Sequence, residues 1–336
     1  MFSVETASIS NSTTLTLLFG PDNNITRWGL VTFMVIIIII SLVGNTVVLI
    51  GSLKYKVLAS MDQVSIILVE NIACTDLIIT LISTMVMLTT LVSERWILGA
   101  VLCAVSYFRL YVLFIEMFFI TAMSSYRLKI ISSPFSAPLP QRTAKVIVVM
   151  VWVFWIVFGV VRVGFDSETK IVYLPNSLQC WYGDGDYSDM QVMIGKFTSG
   201  IALLMIIALS LSNVVMLYYI ANSSAFRGNG HTPGFKALKT VTCVCSVFIV
   251  SYLPTIVLFG LIAMGRNPAN WTYALSAIAV TLSTISNPII YGLTNPNFAK
   301  FLRRIYCKAV NKKGVNIMSS NMLHANGVVQ SCSSQF

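Results

Sequence analysis

Apolar residues fall in seven long runs, at approximately 28–53, 63–91, 101–131, 146–165, 190–221, 238–264 and 271–293. A helix needs about 20 mainly apolar residues to cross the ~30 Å hydrocarbon core of a bilayer, so each run predicts one membrane-spanning helix. The first is the cleanest: residues 35–42 read VIIIIISL, and no charge occurs between Trp28 and Lys54. The connections are short, which predicts one bundle and not a string of anchors. No internal repeat is evident, which argues against architectures built from inverted halves. The first 27 residues lack the charged start and apolar core of a secretory signal, so the first span is expected to act as its own insertion signal.

Composition agrees. The chain is 56% hydrophobic and 10% charged, where soluble proteins carry about 25% charged residues. That excludes a soluble enzyme, a disordered chain and a nucleic-acid-binding domain. The net charge of +10 sorts by side. With the N-terminus outside, the inner segments hold fifteen of the 22 Lys and Arg against one acid, Asp62, and the outer segments hold eight of the 12 acids. Basic residues stay cytoplasmic, so the expectation is a plasma-membrane protein with its N-terminus extracellular and its C-terminus cytoplasmic. Asn11-Ser-Thr and Asn24-Ile-Thr are glycosylation sequons on the outer tail. Of seven cysteines, Cys103 and Cys180 fall in oxidising territory and are expected to form a disulfide pinning the second outer loop. Cys243 and Cys245 lack a second ligand pair for a metal and read as packing residues. Cys307, after a basic amphipathic stretch, is a candidate for palmitoylation.

The local motifs are more specific. They are Gly44-Asn45 in span one, Asn71-Ile-Ala-Cys-Thr-Asp76 in span two, Trp96-Ile-Leu-Gly99-Ala-Val-Leu-Cys103 before span three and Trp152 in span four. Span six has Phe248-Ile-Val-Ser-Tyr-Leu-Pro254, and span seven ends Asn287-Pro288-Ile-Ile-Tyr291, followed by Phe298. In this order and spacing the sequence resembles the rhodopsin-like (class A) G protein-coupled receptors over roughly residues 28–307. The resemblance implies an all-α membrane protein: an extracellular tail (1–27), a seven-transmembrane-helix bundle (28–293), a short amphipathic eighth helix (294–307) and a disordered cytoplasmic tail (308–336). Three departures stand out. The family's D-R-Y reads Tyr126-Arg127-Leu128, its C-W-x-P reads Ser251-Tyr252-Leu253-Pro254, and span five lacks its usual proline.

Ionisable residues inside spans are costly and are functional candidates by default. Arg109, Glu116 and Arg127 of span three are separated by seven and eleven residues. They therefore lie within about 20° of one direction on a helix and form one stripe that must face the bundle interior. By resemblance, Arg127 and Tyr291 serve G protein coupling, while Phe248, Tyr252, Pro254 and Pro288 belong to the activation switch. The acid that would hold Arg127 is replaced by Tyr126, and the inner end of span six, Pro233-Gly-Phe-Lys236, offers none. Without either restraint, appreciable basal signalling is expected. By resemblance, Asp76 with Asn45, Ser283 and Asn287 forms a pocket for a sodium ion, the only cofactor implied. Glu116 stands where the family has a small hydroxyl residue. Either Asp76 and Glu116 share a proton, or they share a cation, or Glu116 pairs upward with Arg109.

Span three is one residue shorter than usual between Cys103 and Arg127, so by resemblance Arg109, or Leu110 if the missing residue lies below it, occupies the place of the aspartate that binds biogenic amines. No lysine occurs in 271–293 for a retinal Schiff base. Arg109, Arg162 and Lys196 around one mouth, lined by Tyr111 and Tyr252, suit an anionic small molecule, lipid or peptide. At the inner face, Lys300, Arg303 and Arg304 oppose Phe298, Phe301, Leu302 and Ile305 as in an interfacial helix. Tail serines could recruit arrestin when phosphorylated, and Ser334-Gln-Phe336 fits a PDZ-domain ligand. The expected function is transmission of an extracellular ligand signal to a heterotrimeric G protein by conformational change, without enzymatic chemistry. The alternative is a non-signalling decoy or partner subunit of the same fold.

Overall fold

Backbone amides in a bilayer must be satisfied within their own segment, so each apolar run closes into a helix. The computed structural model describes residues 24–55, 62–93, 96–133, 135, 137–165, 171–174, 179–182, 189–222, 233–263, 270–295 and 297–305. Asn11, Cys307, the tail serines, the PDZ-like terminus and the side chains of Asn24 and Arg162 lie outside the described residues. The helices are α1 (Asn24–Tyr55), α2 (Gln63–Ser93), α3 (Gly99–Ser132), α4 (Gln141–Phe165), α5 (Asp189–Asn222), α6 (Pro233–Ala263) and α7 (Asn270–Thr294), followed by α8 (297–305). The first seven are each long and apolar enough to cross a membrane.

Local chemistry sets several boundaries. Asp62 caps α2, accepting from the Ser65 backbone N–H at 3.0 Å and from its hydroxyl at 2.9 Å. Pro233 opens α6, where its missing N–H costs nothing. Gly99 opens α3 at φ +73°, a conformation that suits glycine. Within α2, one π-helical turn spans Thr80–Thr84. It starts where the Thr80 hydroxyl donates to the Asp76 carbonyl at 2.7 Å and contacts Ser41 at 2.6 Å, competing with the regular ladder. Between α4 and α5 a hairpin, β1 (Ile171–Leu174) and β2 (Gln179–Tyr182), pairs antiparallel with Tyr173 opposite Cys180. This hairpin departs from the all-α expectation. Cys180 is bonded to Cys103 of α3, as expected.

The pattern is inverted relative to a soluble protein. Ile36 and Ile39 of α1, Val149 and Met150 of α4, and Leu204 and Leu211 of α5 point outward, while Asn45, Asp76, Arg109, Glu116 and Asn287 are buried. Helix α3 runs through the middle, with Ile115, Phe119, Ile120 and Met123 fully buried. Against it, α4 stacks Trp155 on Phe114 at 4.5 Å, and Trp152 donates to Asn71 of α2 at 2.9 Å.

Helices α1 and α7 meet at Pro288. A Cβ on Gly44 would lie 2.7 Å from the Pro288 ring, so only glycine fits. Because Pro288 has no N–H, the Thr284 carbonyl one turn earlier loses its intrahelical donor. Asn45 supplies the replacement, donating to that carbonyl at 2.8 Å, with Ser41 also donating at 3.4 Å. Past α7, Asn295 caps α8 by accepting from the N–H groups of Asn297 and Phe298 at 3.0 and 3.3 Å. Helix α8 buries Phe298 and Phe301 and exposes Lys300, Arg303 and Arg304.

Candidate functional site

The polar stripe of α3 is buried along its length: Arg109 is 6% exposed, Glu116 0% and Arg127 8%. It meets neighbouring helices at three levels.

At the middle level five helices converge. Asp76 of α2 accepts from the Asn287 amide of α7 at 2.8 Å. Glu116 of α3 accepts from the Tyr252 hydroxyl of α6 at 3.0 Å. The two carboxyl groups lie within hydrogen-bonding reach of each other, and Ser283 of α7 lies within reach of the Tyr252 hydroxyl. Asn45 of α1 closes the ring through the Thr284 carbonyl. Among the described residues, Asp76 Oδ1 and Glu116 Oε1 have no donor. Two like charges 4 Å apart repel by about 4 kcal/mol at an effective dielectric constant of ~20, so this contact requires a proton or a cation. Pairing of Glu116 with Arg109, one of the three alternatives, does not occur. Seven residues of helix separate them by about 10 Å, and Tyr252 takes the Glu116 oxygen on the α6 side. Sodium, implied by resemblance, meets an altered donor set. On the side where a small hydroxyl would leave room for an ion, the carboxyl of Glu116 already touches that of Asp76.

At the outer level, Arg109 sits beside the phenols of Tyr107 and Tyr252. Its Nε is buried without a hydrogen-bond partner, and no acid pairs with it among the described residues. Of the other predicted pocket residues, Tyr252 is 2% exposed and stacks on Phe248 at 3.9 Å. Lys196 is exposed on α5 and not part of the buried set. Tyr111 lies on another side of α3 from Arg109. Two residues past Arg109 is 200° around the helix, so Tyr111 faces α4, edge-on to Phe158 at 5.9 Å, where a Cβ on Gly159 would strike its ring. It packs the α3–α4 seam and also meets Tyr107, the neighbour of Arg109, edge-on at 6.3 Å.

At the inner level the missing acids beside Arg127 and at the inner end of α6 do not leave Arg127 unrestrained. Arg127 Nη1 forms a 2.9 Å ion pair with Asp62 Oδ2, and the Tyr126 hydroxyl reaches the same carboxylate. The acid comes from the amino end of α2, where it also caps the helix. Arg127 Nε and Nη2 stay buried without partners. Tyr291 is 1% exposed, its hydroxyl also unpartnered. Glu70 of α2 accepts from Ser52 of α1 at 2.6 Å. Helix α6 is tied to α5 by Asn213–Ser246 at 2.9 Å and to α7 by Thr240–Thr294 at 2.7 Å and Thr255–Ser276 at 2.8 Å. Sequence reasoning missed these links. For Asp62 a signal existed: an aspartate three residues before a serine at the start of an apolar run is a helix-cap pattern.

Comparison with known proteins gives a consistent picture. The family model of seven transmembrane receptors (rhodopsin family) matches residues 44–291. A G protein-coupled receptor homolog, Q2/3L, of sheeppox virus is 28% identical over 293 residues, covering 83% of this chain and 74% of that one. The QRFP-like peptide receptor of Branchiostoma floridae is 23% identical, covering 87% and 80% of the two chains. Neuropeptide Y receptor type 2 of Gallus gallus is 25% identical, covering 81% and 74%. Squid rhodopsin superposes with a TM-score of 0.67 at 16% identity, covering 93% of this chain and 92% of its own, which is a likeness of fold.

Proposed function

Because the chain belongs to the rhodopsin family of seven-transmembrane receptors, a family of multi-pass membrane receptors and not enzymes, we propose that it binds an extracellular peptide carrying an anionic group and activates a heterotrimeric G protein. The N-terminus lies outside the plasma membrane, Asn11 and Asn24 carry glycans, and Cys307 is palmitoylated. Arrestin and a PDZ-domain protein are further partners of the tail. The peptide class draws on the relatives named as receptors for peptides.

One observation carries the reading: a line of contacts runs from the outer level of the bundle to its middle. Arg109 adjoins Tyr252, Tyr252 donates to Glu116, Glu116 meets Asp76, and Asp76 accepts from Asn287 in the Asn287-Pro288-Ile-Ile-Tyr291 segment. A buried guanidinium without an acid partner suits a ligand carboxylate or sulfate, which it holds in bidentate fashion. Binding there biases Tyr252, and with it α6, between two bundle states. At the inner end the unpartnered Nε and Nη2 of Arg127 are donors for an incoming protein.

The test is a G protein activation reporter in cells expressing the full chain, screened with peptides bearing free, amidated or sulfated acidic groups. Responses should follow the acidic group, fall at least tenfold in Arg109→Gln and vanish in Arg127→Ala at equal surface expression. Peptide binding without activation of any G protein class would favour the non-signalling decoy, and responses indifferent to the acidic group would remove Arg109 from the ligand site.

A further inference from the structure

In the outer half of the bundle, α3 carries a buried positive charge that no group balances among the described residues. We propose that Arg109 binds a single chloride ion in the ligand-free protein, and that this ion is the counter-charge of its guanidinium. The peptide reading uses the same side chain, but the ion does not depend on a peptide.

Burial treats arginine differently from other ionisable residues. A buried lysine or carboxyl group can turn neutral, whereas a guanidinium keeps its proton and must find an anion. Arg109 is 6% exposed, and its Nε has no hydrogen-bond partner. The described acids of the bundle are engaged elsewhere. Asp62 pairs with Arg127 at 2.9 Å, Glu70 accepts from Ser52 at 2.6 Å, and Asp76 accepts from Asn287 at 2.8 Å. Glu116 faces the same way as Arg109, seven residues further down α3, but the two do not meet. Glu116 Oε1 is itself without a donor, and Oε2 accepts from Tyr252 at 3.0 Å.

Neutral acceptors at this level are also committed. On α3 the Ser106 hydroxyl donates to the Cys103 carbonyl at 2.8 Å, and the buried Val112 and Leu113 offer no polar side-chain atom. Across the bundle, Thr255 of α6 and Ser276 of α7 bond to each other at 2.8 Å, and Thr281 of α7 donates to the Ala277 carbonyl at 2.8 Å.

The site selects the ion by charge and shape. The Nε–H and the adjacent Nη–H lie parallel on one edge of the guanidinium and can both point at one acceptor. One buried cation calls for one negative charge. A phosphate or sulfate dianion would bring a second, and Lys196, the other described basic residue predicted for this mouth, is exposed on α5. Chloride is monovalent, small and abundant outside cells. The site is also roofed. Cys103 stands about 9 Å above Arg109 on α3, is 0% exposed and is bonded to Cys180 of β2, itself 1% exposed. Opposite charges attract more strongly where water is scarce and the dielectric constant low. An acidic group arriving at Arg109 must expel the ion, so extracellular chloride raises the threshold for the ligand. This last step rests on the peptide reading.

The experiment uses the full chain in lipid nanodiscs without peptide or G protein. Thermal unfolding is followed at constant ionic strength as chloride replaces the bulkier gluconate, with sodium and then choline as the cation. Wild type should gain roughly 2–4 °C in chloride, saturably and with either cation, and should broaden the chloride NMR line. Arg109→Gln should lose both effects, and Arg127→Gln should keep them. If Arg109→Gln does not fold, Arg109→Lys, which keeps the charge but not the forked edge, should need roughly threefold more chloride for half of the stabilisation. Equal melting of wild type in chloride and gluconate, an effect that survives in Arg109→Gln, or one lost in Arg127→Gln would overturn the chloride site. Chloride binding at Arg109 together with acidic-peptide responses indifferent to chloride would uphold the ion site and remove Arg109 from the peptide site, so the two readings fail separately.

Discussion

Asp62, at the amino end of α2, holds Arg127, at the inner end of α3, in a 2.9 Å ion pair. The acid missing beside Arg127 is thus supplied from another helix, and the same carboxylate caps α2. Asp62→Asn keeps a capping oxygen but removes the charge. Asp62 is 32% exposed, so the pair contributes about 1 kcal/mol, a roughly fivefold shift between bundle states. Ligand-free G protein activation per surface receptor should therefore rise about fivefold in Asp62→Asn, while Asp62→Glu should stay near wild type. Unchanged basal activity in Asp62→Asn would mean that the ion pair does not restrain the inner mouth.

Tyr252→Phe tests the link between α6 and α3. The ring keeps its stack on Phe248, but Glu116 Oε2 loses its donor. A buried acceptor without a partner costs about 1–3 kcal/mol. The melting temperature should fall accordingly. In a double-mutant cycle with Glu116→Gln, the two changes should be less than additive.

The α1–α7 seam predicts a large effect from a small change. In Gly44→Ala the added Cβ would press on the Pro288 ring, at a cost of about 1–3 kcal/mol in thermal unfolding. Asn45→Ala should cost a similar amount for a different reason, because the Thr284 carbonyl that Pro288 leaves unpaired keeps only the 3.4 Å contact from Ser41. Asn45→Asp, which has no amide N–H to donate, should not rescue it.

Removal of the Cys103–Cys180 bridge should lower stability by about 4 kcal/mol on loop-entropy grounds, given the 77-residue separation. Cys103→Ser and Cys180→Ser should give equal drops, and reducing agent should lower wild type to the same level without affecting either variant.

The spans, the disulfide and the buried stripe on α3 were legible because each follows from one-dimensional information: run length, sidedness and helical period. Partner choice was not. Whether Glu116 turned to Arg109 or to Tyr252 depends on where α6 crosses α3, which no local pattern encodes. Asp62 was visible as the one inner acid, yet its contact with Arg127 spans 65 positions of sequence and needs the α2 amino end to meet the α3 carboxyl end. Tyr111 is the reverse case, a side chain whose direction the sequence does carry. An aromatic near Arg109 in sequence points the other way around the helix, a fact that period alone could have supplied.

Helix α6 is fastened differently from its neighbours. Four of its polar links to the rest of the bundle are single bonds between side chains, at Asn213–Ser246, Thr240–Thr294, Tyr252–Glu116 and Thr255–Ser276. Each is worth about 1 kcal/mol net, and a bond near an aqueous mouth can be exchanged for water. By contrast, α1 and α7 are interlocked through backbone at Pro288. Substituting those hydroxyls one at a time should therefore change how α6 is held in steps of about 1 kcal/mol, an adjustment that the backbone-locked α1–α7 seam does not offer.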